Sequence, residues 1–587
     1  MSWQDPTCIG KVKNVLGATV IVALDPNLAG VAPIYRGRLQ PIGQIGSLVR
    51  IPQGLIDIIA TVTLVGIAEL VGKVALSDTI ERDERWLEIQ LLGEIDRATG
   101  RFQRGVGVFP GLDDPVHFAT PEELAVIFPH ADDEHLRLGC LSATEDVPVC
   151  LNAKKLVVRH AAVVGSTGSG KTTVVASLLQ SFIRGGWNAA NIVVVDPHGE
   201  YGRALAESAS VRSVLADDIN RLRVPYWALP ANDIVRIFAG GPGGPTFTNR
   251  FNDLVAQARR EFVSSSSWLT LDPNAVTADT PVPFDIRPIW HQLDSENRET
   301  RRAKSDPGTA CLVDPGDAAT LRSGQFEPYG PGGQPPHQSP TFGVYGSTPD
   351  LIRLGLLDPR LRFFQEPMGD PSGTDPLVEV MQDWLGGNRA ISVLDFSGVP
   401  AAAADLAIGV VLNMLFEVAL RSEPDGPGIG RPSPVLIVLE EAHRYLGASA
   451  SAATRDSANR IAREGRKYGV GLMLVTQRPT ELPETALAQC GTIIALRLTN
   501  AGDQGAIRAA LPDSVAGLAS VLPSLRTGEA IVSGEALVLP VRAMLDKPNP
   551  MPRAEDPSLE SWRQAPNLPN ISEPLAAWRG TYEAEND

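Results

Sequence analysis

From residue 9 to residue 92 the apolar positions fall into short β-branched runs broken by Gly, Asn and Pro: KVKNVLGATVIVAL, GQIGSLVRI, IIATVTLVGIAEL and WLEIQLLGEI. Runs of that length with turn residues between them predict a small antiparallel β-barrel over residues 1–105. A connector over 106–150 carries one helix signal, TPEELAVIF, in which Thr120 and Glu123 have the spacing of a capping box. After residue 150 the rhythm changes. Uninterrupted apolar runs at 161–164 and 192–196 flank a helical pattern at 173–184, the signature of a parallel sheet with helices on its faces. The alternation is lost between 233 and 384, where 249–262 is helical in pattern and 264–348 is crowded with Pro, Gly and Ser, so a loop-rich centre is expected. Strand patterns resume at 391–398, 434–443, 470–477 and 491–498. The expectation is an α/β core in two parts, 151–232 and 385–545. A mainly helical, loop-rich insertion over 233–384 separates them, and a tail over 546–587 wraps a neighbour or frays.

Composition narrows the class without changing this picture. A chain of 587 residues with 43% hydrophobic and 20% charged positions has material for more than one core and is neither disordered nor fibrous. The formal net charge of -16 excludes a surface that attracts phosphate everywhere, so any nucleic acid must meet a local basic patch. The five cysteines are odd in number, widely spaced and without a CxxC pair, which suggests neither a disulfide framework nor a zinc site and fits a reducing cytoplasm. No basic stretch followed by an apolar run opens the chain, so no secretory signal is expected. The most hydrophobic stretch, 55–76, contains Asp57, Glu69 and Lys73 and is expected to form buried strands rather than a membrane span.

The chemistry concentrates at strand ends. Directly after the run 161–164 comes GSTGSGKT: Gly165, Ser166, Thr167, Gly168, Ser169, Gly170, Lys171 and Thr172, with Thr173 beginning the helical pattern. This is a complete GxxxxGK[ST] phosphate loop in the strand-loop-helix setting that it requires. Its backbone N–H groups and helix N-terminus cradle phosphate, Lys171 reaches the β- and γ-phosphates, and the Thr172 hydroxyl is a magnesium ligand, so ATP and Mg²⁺ are the expected cofactors. Hydrolysis needs a carboxylate at the end of another buried strand. Val435 to Leu439 followed by Glu440 and Glu441 supplies two: Glu440 for the metal, through water, and Glu441 as the base. Gln477, after GLMLVT, is placed to orient water or sense the γ-phosphate. Asp196 and Glu200, in VDPHGEY, serve either the metal shell or simply a turn and the surface, and His198 is expected in a turn.

The set GSTGSGKT, DPHGEY, LDFSG, VLEEAHRYL and REGRKYGVGLMLVTQRP resembles the HerA branch of the HerA/FtsK ATPases, and the N-terminal barrel resembles that family's HAS barrel. The likeness runs in order along the chain apart from the insertion centre and the tail. It implies a RecA-like core, a homo-hexameric ring with nucleotide at the subunit interfaces, and double-stranded DNA in the central channel. It further implies a translocase or helicase working with an effector partner: a NurA-type nuclease in DNA end processing, or a nuclease or sirtuin-like protein in anti-phage defence. An ATP-switched ring scaffold without processive translocation is the alternative. At position 440, where the family commonly has Asp, this chain has Glu. The same resemblance makes Arg159, Arg463 and Arg466 the candidates for an arginine acting on the next subunit's nucleotide. Arg455, Arg460 and Lys467, in the basic stretch between 455 and 478, are the candidates for DNA phosphate, with 447–459 expected as a mobile loop or a plain surface loop.

Overall fold

A computed structural model describes residues 5–26, 28, 34–35, 38–39, 44–67, 85–216, 219–448, 450–512, 515, 517–553, 559–563 and 570–579. The chain divides into two compact units, one built from Met1–Arg212, Asp383–Asp395 and Val411–Arg553, the other containing Ser213–Gln382 and Phe396–Val410.

The first unit opens with the barrel. Strands Cys8–Leu16, Thr19–Leu24, Leu48–Gln53, Ile56–Ile67, Arg85–Asp96 and Pro115–Phe118 form an antiparallel sheet that closes on itself through the pairing of Thr19–Leu24 with Arg85–Asp96. Alternate side chains such as Val12, Val22, Ile58, Val62, Leu87 and Ile89 fill its interior, as period-two patterning requires. The expected buried strand over 55–76 is present as Ile56–Ile67, while 68–76 lie outside the described residues. In the connector, Thr120 and Glu123 form the reciprocal capping box at the start of helix Pro121–Ile127.

Beyond the barrel lies an eleven-stranded mixed sheet. Its central strands Ala161–Val164, Asn191–Asp196, Ile391–Asp395, Val435–Leu439, Val470–Thr476 and Thr492–Ala495 are parallel and almost wholly buried, which is why they read as continuous apolar runs. Register decides what this sheet can do. Val164 pairs with Thr476, Leu439 with Leu474 and Val195 with Leu439. The residues that follow these strands therefore emerge along one edge: the phosphate loop, Glu440, Gln477 and the turn after Asp196. Such carboxyl ends of parallel strands are where open α/β sheets bind ligands.

The second unit contains helices Pro245–Ser265, Ile286–Arg298 and Thr348–Leu357. Residues 264–348, expected to be loop-rich, contain the second of these helices and two short antiparallel pairings, Thr300–Arg301 with His337–Gln338 and Leu312–Asp314 with Gln325–Phe326. A fully buried Arg259 organises this unit by donating to the carbonyls of Ala278, Trp227 and Leu229. Among the described residues one helix, Ala401–Arg421, is long and apolar enough to cross a membrane, with a mean hydropathy of 1.8. Two-thirds of that window, 67%, is buried inside the protein, as in the core helix of a sheet-based fold.

Candidate functional site

The phosphate loop leaves strand Ala161–Val164 and enters helix Lys171–Arg184. A Cβ on Gly165 would sit 2.4 Å from Ser169 Oγ and 2.9 Å from Leu496 Cβ, and Gly170 has φ +99°, so the loop's shape depends on residues without side chains. Ser166 ties the loop to the neighbouring strand end: its N–H donates to the Arg497 carbonyl at 2.9 Å and its hydroxyl accepts the Thr499 N–H at 3.2 Å. Lys171 is buried, and its ammonium donates to the Ser166 carbonyl at 3.4 Å across the loop. Burial lowers its pKa, against the opposing pull of Glu440, Glu441 and Glu200. Ser169 Oγ is buried and makes no hydrogen bond within the described residues. A closed, glycine-shaped cradle with a buried cation behind it and an unused hydroxyl inside it fits a bound polyphosphate.

Strand Val435–Leu439 delivers the two carboxylates into different surroundings. Glu440 is 3% exposed and accepts a hydrogen bond from the Tyr201 hydroxyl. Burial, reinforced by Glu441 and Glu200, pushes its pKa up to about 8. Glu441 turns through the left-handed region at φ 54°, a strained conformation that aims its side chain back at the loop. Its Oε1 accepts from Gln477 Nε2 at 3.2 Å, and Gln477 Oε1 in turn accepts from the Thr167 hydroxyl at 2.5 Å. Glu441 Oε2 lies 3.2 Å from His443 Nδ1, and that nitrogen is 3.1 Å from Thr476 Oγ1. Loop tip, Gln477, Glu441 and His443 thus form one chain of polar contacts. Sequence reasoning singled out the first three and missed His443, whose only signal was its place two residues after Glu441.

Asp196 is a turn former. It is wholly buried and accepts from the backbone N–H groups of His198, Gly199 and Tyr201 at 3.1, 2.9 and 3.0 Å, so both of its oxygens are engaged in the turn. Glu200 does reach the site: the Thr172 hydroxyl donates to its Oε2 at 2.7 Å. No cluster of three or more His, Cys, Asp or Glu side chains able to hold a metal occurs among the described residues. The hydroxyl of Thr172 and the carboxylates of Glu440 and Glu200 are nevertheless oxygen donors of the kind that magnesium takes alongside water and phosphate.

The arginines lie elsewhere. Arg159, Arg463 and Arg466 line one cavity of about 710 Å³ together with Arg104, His160 and Lys467. Arg159 precedes strand Ala161–Val164 and the other two precede strand Val470–Thr476, so the cavity is at the strand starts, opposite the phosphate loop. Arg159 is paired with Glu535 at 2.6 Å. Residues 447–459 are not a loop throughout: Ser451 caps a helix, Ala452–Glu464, that buries Thr454, Ala458, Ile461 and Ala462. Arg455 and Arg460 are therefore helical. Arg460 is engaged by Glu417 at 2.5 Å and stacks over Phe416 at 5.0 Å, whereas Lys467 is exposed.

A phosphate loop and strand-end carboxylates along one edge of a buried parallel sheet are the arrangement of the P-loop ATPases with a RecA-like core, the class to which this fold belongs. Comparison with known proteins is more specific. The description "Helicase HerA, central domain" matches residues 136–318 and "Helicase HerA-like C-terminal" matches residues 361–538. A probable DNA double-strand break repair helicase HerA of Methanocaldococcus jannaschii is 40% identical over 435 residues, covering 70% of this chain and 76% of that protein. The DNA double-strand break repair helicase HerA of Sulfolobus acidocaldarius is 25% identical over 84% of each. Among solved structures, VirB4 of Thermoanaerobacter pseudethanolicus aligns with a TM-score of 0.45 at 12% identity, over 71% of this chain and 97% of that one. The chain belongs to the HerA family and is an ATPase of the helicase and translocase class.

Proposed function

We propose that the protein is an ATP-driven translocase on double-stranded DNA, acting as a homo-hexameric ring that supplies a NurA-type nuclease or another effector with DNA ends. The observation that carries this reading is the division of the site. Lys171, Glu440, Glu441 and Gln477 meet at one edge of the sheet, while Arg159, Arg463 and Arg466 line a cavity at the other. On the opposite side of the sheet from their own phosphate loop, these arginines are placed to serve the γ-phosphate of a neighbouring copy, an arrangement that a homo-hexameric ring would repeat at every interface. Relatives named as double-strand break repair helicases favour end processing over anti-phage defence.

In this mechanism Lys171 holds the terminal phosphates and Glu441 takes the proton of the attacking water. Gln477 exchanges its bond to Thr167 for one to that water or to the γ-phosphate. Thr172, and Glu440 through water, would hold magnesium, which would supply positive charge against the negative charge of the phosphates. Arg455 and Lys467 meet DNA phosphates, with Arg460 contributing after release from Glu417. A cytoplasmic location accords with that activity. The test is ATP turnover by the purified protein with and without duplex DNA, together with mixed rings of Glu441→Gln and Arg466→Ala. Stimulation by duplex and partial rescue in mixed rings are expected. Turnover indifferent to DNA would refute the translocase reading and leave the ATP-switched scaffold, which the net charge of -16 and the prior engagement of Arg460 favour.

A further inference from the structure

The turn after strand Asn191–Asp196 presents two consecutive side chains to the nucleotide site. Glu200 takes the Thr172 hydroxyl at 2.7 Å, and Tyr201 donates its hydroxyl to Glu440 Oε2. The turn is held from both sides. Asp196 accepts three of its backbone N–H groups from within, and the Arg553 N–H closes on the Glu200 carbonyl at 2.9 Å. Tyr201 is completely buried, so its hydroxyl must find a protein partner, and the partner it has is the carboxylate 239 residues further along the chain. An aspartate at 440 would end about 1.5 Å short, one carbon–carbon bond, and would withdraw from that hydroxyl.

We propose that Tyr201 is a positioning residue for Glu440: its hydroxyl holds Oε2 so that Oε1 faces the water shell of the metal–nucleotide complex, and the side chain at 440 is a glutamate because that length reaches both. The pair divides the carboxylate between an inner, protein-facing oxygen and an outer, ligand-facing one. The same turn steers Glu200 onto Thr172, so one rigid segment sets two groups of the metal shell. This inference rests on the nucleotide site described above and deepens it.

The experiment compares Tyr201→Phe, Glu440→Asp and the double variant in the full-length protein. It reads kcat, KM for ATP and, in a fluorescent-nucleotide titration, the Mg²⁺ concentration giving half-maximal binding, with thermal midpoints as a control on folding. Tyr201→Phe is expected to raise the Mg²⁺ requirement about tenfold, the effect of losing one buried hydrogen bond, with KM for ATP changed much less than kcat. Glu440→Asp, which leaves the tyrosine in place, reads the same pair from the other side, and the double variant should be no worse than the poorer single one. Multiplying effects in the double variant, or a Tyr201→Phe protein with a lowered thermal midpoint and an unchanged Mg²⁺ dependence, would overturn the proposal. Lys171→Ala, measured alongside, separates the two levels: if it retained turnover, the nucleotide site itself would be misassigned.

Discussion

His160 makes the stability of the core depend on pH in a direction that its surroundings dictate. The residue joins helix Ala153–Val158 to the phosphate-loop strand, with φ 53°, and its ring is 4% exposed. Nδ1 accepts the Leu472 N–H at 2.9 Å, and the ring also hydrogen-bonds the Ala462 backbone. Burial pushes its pKa down from 6.5 to about 4. Since the folded pKa lies below the unfolded one, the neutral ring contributes stability that is complete above pH 6.5 and is lost as pH falls through 4. The interval corresponds to about 3 kcal/mol, because protonation turns Nδ1 from an acceptor into a second donor facing the Leu472 N–H. Urea denaturation of the wild type and of His160→Asn at steps from pH 7 to pH 4 measures this. Asparagine tolerates positive φ and offers an amide oxygen near the position of Nδ1, so the variant keeps the acceptor and loses the titration. The wild type should lose about 3 kcal/mol more than the variant across that range. Parallel pH profiles would refute the reasoning, since the remaining acid sensitivity belongs to carboxylates common to both proteins.

Gly165→Ala should fold but bind ATP at least about tenfold more weakly in a fluorescent-nucleotide titration, because the new Cβ meets Ser169 Oγ and the Leu496 side chain and opens the cradle. Gln477→Ala should cut kcat about tenfold or more with KM for ATP within about threefold, since it severs Thr167 from Glu441 without touching the loop backbone; a pure KM effect would point to binding instead. Lys467→Ala should weaken duplex binding equally for unrelated sequences and reduce the salt slope by about 1, whereas Arg460→Ala should do less, its guanidinium being already held by Glu417 and Phe416.

The parallel core was legible because strands such as Val435–Leu439 and Val470–Thr476 are buried on both faces and so carry no polar interruption. The phosphate loop was legible because its residues are local in sequence. Residues 447–459 misled because Ser and Ala suggest a loop by composition, yet alanine is the strongest helix former and Ser451 is a good N-cap, a signal that was available. The helices and short pairings within 264–348 were hidden by Pro and Gly. Stabilisation there draws on contacts such as the donation of His291 to the Pro315 carbonyl, 24 residues further on, which no local pattern announces.

Local chemistry alone was enough for phosphate binding, since a glycine-shaped anion cradle followed by Lys171 and Thr172 needs only eight consecutive residues to exist, and Glu440 and Glu441 directly after an apolar run added the expectation of hydrolysis. The pairing of Tyr201 with Glu440, the link from Thr167 through Gln477 to Glu441 and His443, and the gathering of Arg159, Arg463 and Arg466 at the far strand ends came only with the folded chain. Each joins groups far apart in sequence, and strand register, a property of the assembled sheet, decides which strand ends are neighbours and which side chains share an edge.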